Sequence, residues 1–126
     1  MGLINRAKII FLTILIFLFI SSVTVFTQSE VDSLKTLLST AKGKEKIRLL
    51  IEMGYFLSSE DPKEAIQYLD KAIKLAQESG AEWSLADAYF NKGVALWHLG
   101  EIEESDKQYE LAIPIYQELK DSLSLI

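Results

Sequence analysis

The sequence predicts an all-α protein in which antiparallel helix pairs stack side by side as a short solenoid. From Gln28 onward, apolar residues recur at spacings of three and four, which is the spacing of one face of an α-helix. No segment shows the strict alternation of apolar and polar residues that is typical of a β-strand. The chain of 126 residues has only 6 glycines and 2 prolines, so there is room for long helices between these helix-breaking residues.

The first element is an apolar segment that precedes the helix pairs. Arg6 and Lys8 are its only charged residues, and a nearly continuous apolar stretch follows them. A positive start followed by an apolar stretch of this length is typical of a secretory signal peptide. We therefore expect a signal peptide over residues 1–27. The alternative is an uncleaved anchor in the inner membrane over residues 9–26, near the lower length limit of a membrane span.

Both alternatives place the rest of the chain outside the cytoplasm, since positive residues that flank an apolar segment stay on the cytoplasmic side. The protein would be periplasmic or secreted after cleavage, and it would touch the membrane only through the N-terminal segment. All 18 acidic residues lie beyond that segment, so we expect the exported part to be a soluble, acidic body.

The next elements are five helices separated by turn residues. We expect them near residues 29–41, 45–59, 62–79, 83–98 and 101–119. Asp61 is the expected N-cap of the third of these helices, with Pro62 in its first turn. Gly80 and Gly100 are expected to end the third and fourth helices. Pro114 falls inside the fifth helix and should bend it, because proline removes one backbone hydrogen bond.

The helix pairs repeat along the chain. Gly54 and Gly93 occupy equivalent places in two pairs, as do Ala72 and Ala112. Residues 88–105 resemble the tetratricopeptide repeat (TPR), a helix–turn–helix unit that stacks into solenoids. The second pair carries most of the resemblance, and the first pair is a looser match.

The resemblance covers about residues 45–120 and implies structural roles for small and aromatic side chains. Gly93 would let the paired helix approach closely, Gly100 would make the turn, and Tyr109 would fill the groove between helices. The implied repeat positions are Gly54, Ala65, Ala72, Gly93, Gly100, Ser105, Tyr109 and Ala112. The resulting layout is a capping helix over 28–43, a first repeat over 44–80, a second repeat over 81–120 and the start of a further, truncated repeat over 121–126.

TPR arrays bind peptides or partner proteins on a concave surface that is lined by the first helix of each pair. The resemblance therefore implies a partner-binding surface made of Arg48, Glu52, Tyr55, Asp87, Asn91, Val94, Trp97 and His98. Asn91 is the strongest candidate, because an amide offers a peptide backbone both a donor and an acceptor. The alternative is that these are ordinary solvated residues on an exposed helix face. A cationic clamp for a C-terminal carboxylate is not expected, since Glu52 and Asp87 stand where it would need lysine or arginine.

The composition excludes several function classes. A net charge of −5 argues against a nucleic-acid partner, because phosphate binding needs a basic surface. One histidine and no cysteine leave no material for a thiolate metal site, a disulfide or most acid–base triads. The sequence has no glycine-rich phosphate loop and no nucleophile elbow. We therefore expect no cofactor, no bound metal and no enzymatic activity, and a partner that is a protein or peptide.

The end of the stack is unusual, because the last helix keeps apolar residues where a polar cap is expected. These residues are Tyr109, Ile113, Tyr116 and Leu119. Two repeats are also fewer than the three that stable arrays usually need. We expect this end to be covered by self-association through the C-terminal helix, by a partner, or by further repeats of a longer protein.

Two functions remain open at this point. The first is an exported TPR protein–protein interaction module that works as a scaffold or adaptor. The second is the truncated extracytoplasmic sensor region of a TPR-containing histidine kinase or transcriptional regulator. The layout of the chain resembles the exported N-terminal part of such signalling proteins in Bacteroidetes-type bacteria.

Overall fold

The computed structural model describes residues 2–124, and the side chains of all of these except residues 22–27. Within this range the chain forms five helices and no strand, as the periodicity predicts. The helices are α1 (Gly2–Thr40), α2 (Gly43–Leu57), α3 (Pro62–Ser79), α4 (Glu82–His98) and α5 (Ile102–Ser124). The chain divides into two compact units, Met1–Ser33 and Leu34–Ile126.

The first unit is the N-terminal part of α1. Its stretch Gly2–Ser21 has a mean hydropathy of 2.2 and none of it is buried. Twenty residues of α-helix rise about 30 Å, so this stretch is long and apolar enough to cross a membrane. A signal peptide has the same length and composition. The helix continues to Thr40 rather than beginning anew near residue 29, because no glycine or proline interrupts it.

The helix ends of the second unit follow local signals in the sequence. Asp61 is the N-cap of α3, as predicted, and its carboxylate accepts a hydrogen bond from the backbone N–H of Glu64 at 3.0 Å. Gly80 and Gly100 have φ angles of 67° and 80°, in the left-handed region that glycine adopts without strain. These residues end α3 and α4 and turn the chain into the next helix.

The last helix is longer than the sequence predicts. The expected end near residue 119 was wrong, since α5 runs from Ile102 to Ser124 and contains Pro114. Residues 121–124, which were expected to begin a further repeat, are part of α5, and residues 125–126 of that segment lie outside the described residues. A proline in a helix interior costs one hydrogen bond, but the helix is able to continue on both sides of it.

Removing the Asp61 carboxylate should weaken the start of α3. We expect Asp61→Ala to lower the free energy of unfolding by about 1 kcal/mol, because the Glu64 N–H loses its acceptor. Asp61→Asn keeps an acceptor oxygen and should cost much less. Urea unfolding followed by circular dichroism measures both variants, and equal losses would contradict the capping role.

The second unit is a stack of helix pairs. Helix α2 packs against α3, α3 against α4, and α4 against α5, while α2 also contacts α4. The pairs α2/α3 and α4/α5 therefore lie side by side as a short solenoid. At their centre, Leu50, Ala72 and Ala88 are almost fully buried, and Leu38 from the end of α1 packs against them. The two alanines let the helices approach closely at this point.

Two glycines set the spacing within each pair. A Cβ atom on Gly54 would lie 2.8 Å from Leu69 Cδ1 and closer still to other atoms of that side chain. A Cβ atom on Gly93 would lie 2.5 Å from Tyr109 Cε1. Ser105 is 1% exposed and donates a hydrogen bond to the carbonyl oxygen of Gly93 at 2.7 Å. Both pairs thus use one glycine on the first helix to receive one large side chain from the second.

Candidate protein-binding face

The residues expected to bind a partner lie on α2 and α4, which are the first helices of the two pairs. We call this surface the α2/α4 face; it comprises Arg48, Glu52, Tyr55, Asp87, Asn91, Val94, Trp97 and His98. Helices α2 and α4 are in contact with each other. The opposite sides of both helices are buried in the stack.

The charged residues that the α2/α4 face takes from α2 are paired with one another. Arg48 Nη2 lies 2.7 Å from Glu45 Oε1, and its Nη1 lies 2.8 Å from Glu52 Oε2. The hydrogen bond from Arg48 holds the pKa of the Glu45 carboxyl below its usual value. These pairs are solvent-exposed and contribute little to stability. The Arg48 guanidinium is therefore shared between two carboxylates.

Each of the two helices carries one large exposed aromatic side chain of the α2/α4 face near its C-terminal end. Tyr55 is 63% exposed and contacts Phe56 edge to face, with ring centroids 5.5 Å apart. Trp97 is 58% exposed and meets the His98 ring in the same way, at 5.2 Å. Large aromatic surfaces at the C-terminal ends of α2 and α4 are suited to apolar contact with a ligand.

Asn91 uses part of its amide within its own helix. Its Nδ2 donates a hydrogen bond to the backbone oxygen of Asp87 at 2.8 Å. The amide carbonyl oxygen has no hydrogen bond to any residue that the structure describes, and the second N–H of the amide is also available. The side chain is half-buried, so it is held in place while one acceptor and one donor remain for a ligand.

Asp87 belongs to the contact between α4 and α5, which the sequence did not reveal. Its carboxylate accepts a hydrogen bond from the hydroxyl of Tyr116, and the Tyr116 ring meets Trp83 edge to face at 5.4 Å. Burial raises the pKa of Tyr116, and the hydrogen bond and charge of Asp87 raise it further. One side of the α2/α4 face is therefore fixed by α5 rather than free to move.

The hydroxyl of Tyr116 is expected to lose its proton at a higher pH than an ordinary tyrosine, whose pKa is about 10. A spectrophotometric titration follows the ionisation of the tyrosine hydroxyls. Tyr116→Phe should remove the ionisation step that occurs at the highest pH, and Asp87→Asn should move that step to lower pH. The pKa of Tyr116 is higher in the folded protein than in the unfolded one. The contribution of its hydrogen bond to stability is therefore complete below about pH 10 and is lost as the pH rises towards the folded pKa. A last step that survives in Tyr116→Phe would contradict this assignment.

Phe90 is a further exposed aromatic residue on α4, outside the residues expected to bind a partner. It is 47% exposed, and its ring lies 5.4 Å from that of Tyr109. It stands seven residues from both Trp83 and Trp97, which are 55% and 58% exposed. Seven residues are about two helical turns, so these three side chains form one exposed aromatic row. The spacing was visible in the sequence.

The acidic residues after Gly100 do not assemble a metal site within the described part of the chain. No group of three or more His, Cys, Asp or Glu side chains is placed to hold a metal ion there. Glu104 pairs with Lys107 at 3.0 Å, and this hydrogen bond lowers the pKa of the Glu104 carboxyl. The acidic residues instead favour the start of α5 through the helix dipole.

The small-residue positions and the helix pairing agree with a comparison to known protein families. The family model for the tetratricopeptide repeat matches residues 47–118, which is more than half of the chain. The chain belongs to the tetratricopeptide repeat family. TPR domains generally bind protein partners, and the family is generally a non-enzymatic interaction scaffold. Comparisons with curated proteins and with solved structures found no match for this chain.

The TPR match spans the two helix pairs and leaves the N-terminal helix outside it. The small side chains of the repeats are buried where helices cross: Ala65 and Ala72 are 0% exposed, and Ser105 and Ala112 are 1% exposed. Larger side chains at these four positions would push the crossing helices apart. Family membership thus indicates a protein–protein interaction module.

Proposed function

We propose that this chain is an exported TPR scaffold or adaptor that binds a peptide or protein partner on the α2/α4 face. The observation that carries the proposal is the division of α2 and α4 into two sides. One side is buried in the stack, and the other carries mostly polar residues that are half-buried or exposed, together with the exposed rings of Tyr55 and Trp97. An exposed aromatic beside fixed polar groups is the composition of an interaction surface rather than of a solvated helix.

The chemistry of the face suggests the kind of ligand. Tyr55 and Trp97 would receive apolar side chains, while the free oxygen of Asn91 would accept a hydrogen bond from a peptide N–H. Arg48 is neutralised by its glutamates, so an anionic terminus is not the preferred group. The ligand we propose is therefore an apolar segment with accessible backbone, from a protein or peptide.

Substitutions on the face should separate binding from folding. Peptides selected from a random displayed library against the full chain would serve as the probe. We expect Asn91→Ala to weaken their binding roughly tenfold, because one buried hydrogen bond is lost, and to leave the melting temperature unchanged. Lys74→Ala, on an exposed position of α3, is the matched control.

Two results would count against this assignment. Equal loss of affinity and of melting temperature in Asn91→Ala would return this residue to a structural role. Selected peptides that are insensitive to Asn91→Ala, Tyr55→Ala and Trp97→Ala would place the binding surface elsewhere.

Export rests on the N-terminal unit. The apolar helix over Gly2–Ser21, with Arg6 and Lys8 near its start, supports a signal peptide that ends at residue 27 or an inner-membrane anchor over residues 9–26. The intact mass of the protein recovered from expressing cells distinguishes the two. A chain that begins at Gln28 supports cleavage, and an uncut chain in the membrane fraction supports the anchor. An uncut chain in the cytosol would contradict export.

Self-association through the C-terminal helix is the second part of the proposal. Ile113 is 51% exposed and Leu123 is 66% exposed on α5, the last helix of the stack. Exposed apolar residues at the end of a repeat array favour a covering partner. The same observation favours the alternative function, in which following repeats of a histidine kinase or transcriptional regulator cover α5. Coding sequence downstream that continues in frame with further repeats would support this alternative.

The layout of the repeats is proposed as a capping helix over 28–43, a first repeat over 44–80 and a second over 81–120. Leu38 supports the cap, because it packs on the buried cluster formed by Leu50, Ala72 and Ala88. Limited proteolysis tests the layout. Cleavage is expected first at the turns between helices and only later inside them.

A further inference from the structure

Helix α5 carries a row of three exposed residues at intervals of seven: Asp106, Ile113 and Lys120. Seven residues of α-helix make about two turns, so all three side chains point to one face. Ile113 is 51% exposed at the middle of the row. We call these three residues the α5 row.

The charges of the α5 row are complementary to those of a second α5 row that runs antiparallel to it. Asp106 and Lys120 lie at equal distances from Ile113, about 10.5 Å along the helix axis in each direction. An antiparallel copy of the same helix would place Asp106 opposite Lys120 twice and Ile113 opposite its own equivalent. A parallel copy would place like charges together, which is destabilising.

The two charges of the row are available for this pairing. Neither Asp106 nor Lys120 forms an ion pair with any residue that the structure describes, whereas Lys107 pairs with Glu104 at 3.0 Å and Lys92 with Asp70 at 2.7 Å. A cationic helix from another protein would meet a like charge at Lys120, and an anionic one would meet a like charge at Asp106. A second copy of this chain matches both.

We propose that a second copy of this chain docks on the α5 row, with the two α5 helices antiparallel and Ile113 on the two-fold axis. The inference rests on the proposed self-association and specifies its geometry. The interface is isologous, so the same surface of each copy is used and the assembly closes as a dimer. The α2/α4 face of each copy is not part of the α5 row and remains open to a ligand.

Cysteine cross-linking tests the arrangement directly, because the chain has no cysteine of its own. A disulfide needs Cα atoms about 4.4–6.8 Å apart. In the full chain purified in detergent micelles, Ile113→Cys is expected to form a covalent dimer under mild oxidation. Asp106→Cys alone and Lys120→Cys alone should remain monomeric on a non-reducing gel, since their equivalents lie about 21 Å apart. A mixture of these two variants should cross-link.

The control for non-specific oxidation is Leu111→Cys. Leu111 is 47% exposed on the same helix, but it precedes Ile113 by two residues and therefore points away from the row. It should not cross-link. All four substituted positions are exposed, and unchanged circular dichroism of each variant checks that the fold is kept.

Charge exchange provides the second measurement, with dimer affinity measured by sedimentation of the full chain. Lys120→Glu and Asp106→Lys should each weaken the dimer about tenfold, because two ion pairs become two like-charge pairs. The double variant restores both pairs and should recover most of the affinity. Failure of this recovery would overturn the proposed register.

Other cross-linking results would overturn the proposal in distinguishable ways. Dimers of Asp106→Cys alone and of Lys120→Cys alone would indicate parallel helices. Dimers of Leu111→Cys without those of Ile113→Cys would indicate another face of α5. No cross-link at any position, with a monomeric mass, would remove self-association, while peptide binding that depends on Asn91 would leave the proposed function intact.

Discussion

Gly93→Leu is expected to unfold the second helix pair. A Cβ atom at this position would already lie 2.5 Å from Tyr109 Cε1, and leucine adds three more carbon atoms in the same direction. Helix α5 would have to move away from α4, which would also break the hydrogen bond from Ser105 to the Gly93 carbonyl. We expect a loss of about 3 kcal/mol or more in the free energy of unfolding, a large share of the stability of a small domain.

Thermal and urea unfolding followed by circular dichroism measure this loss. A double-mutant cycle identifies its cause. Gly93→Ala should cost markedly less when Tyr109→Leu is also present, because the smaller side chain leaves room for the new methyl group. A melting curve unchanged by Gly93→Leu would refute the close packing of α4 and α5, and equal costs of Gly93→Ala in both backgrounds would refute its dependence on Tyr109.

Leu69→Ala should have an effect of similar size on the first helix pair. Leu69 is 0% exposed and fills the space that Gly54 leaves on α2. Removing its three outer carbon atoms leaves a cavity between α2 and α3, and such changes cost about 2–5 kcal/mol. Urea unfolding gives the value from the midpoint and slope of the transition.

The matched control is Leu111→Ala, which makes the same chemical change at a position that is 47% exposed. We expect it to alter the free energy of unfolding by no more than about 0.5 kcal/mol. If Leu69→Ala and Leu111→Ala had the same small effect, Leu69 could not be a core residue of the α2/α3 pair.

Local signals in the sequence were sufficient to predict where most helices begin and end. Asp61 and Pro62 determine the start of α3 by capping chemistry and fixed φ, and Gly80 determines its end. The extent of α5 could not be predicted in this way. Beyond residue 119 no glycine or proline stops the helix, so its end depends on packing and helix propensity rather than on a turn residue.

The candidate face was partly visible in the sequence. Helical spacing and the TPR resemblance were enough to select one side of α2 and α4, because both properties repeat along the chain. The hydrogen bond between Asp87 and Tyr116 was not predictable, since the two residues are 29 positions apart and meet only through the pairing of α4 with α5. The ion pair of Lys92 with Asp70 joins α4 to α3 and was missed for the same reason.

The central claim is that the helix pairs α2/α3 and α4/α5 form an interaction module whose exposed end on α5 is covered by a second copy of the chain. The solution mass of residues 28–126 by light scattering on a sizing column, with helicity recorded on the same sample, tests it most directly. We predict a helical dimer, in which each copy covers the exposed end of the other. A poorly helical or aggregating species, or a helical monomer at high concentration, would contradict the claim.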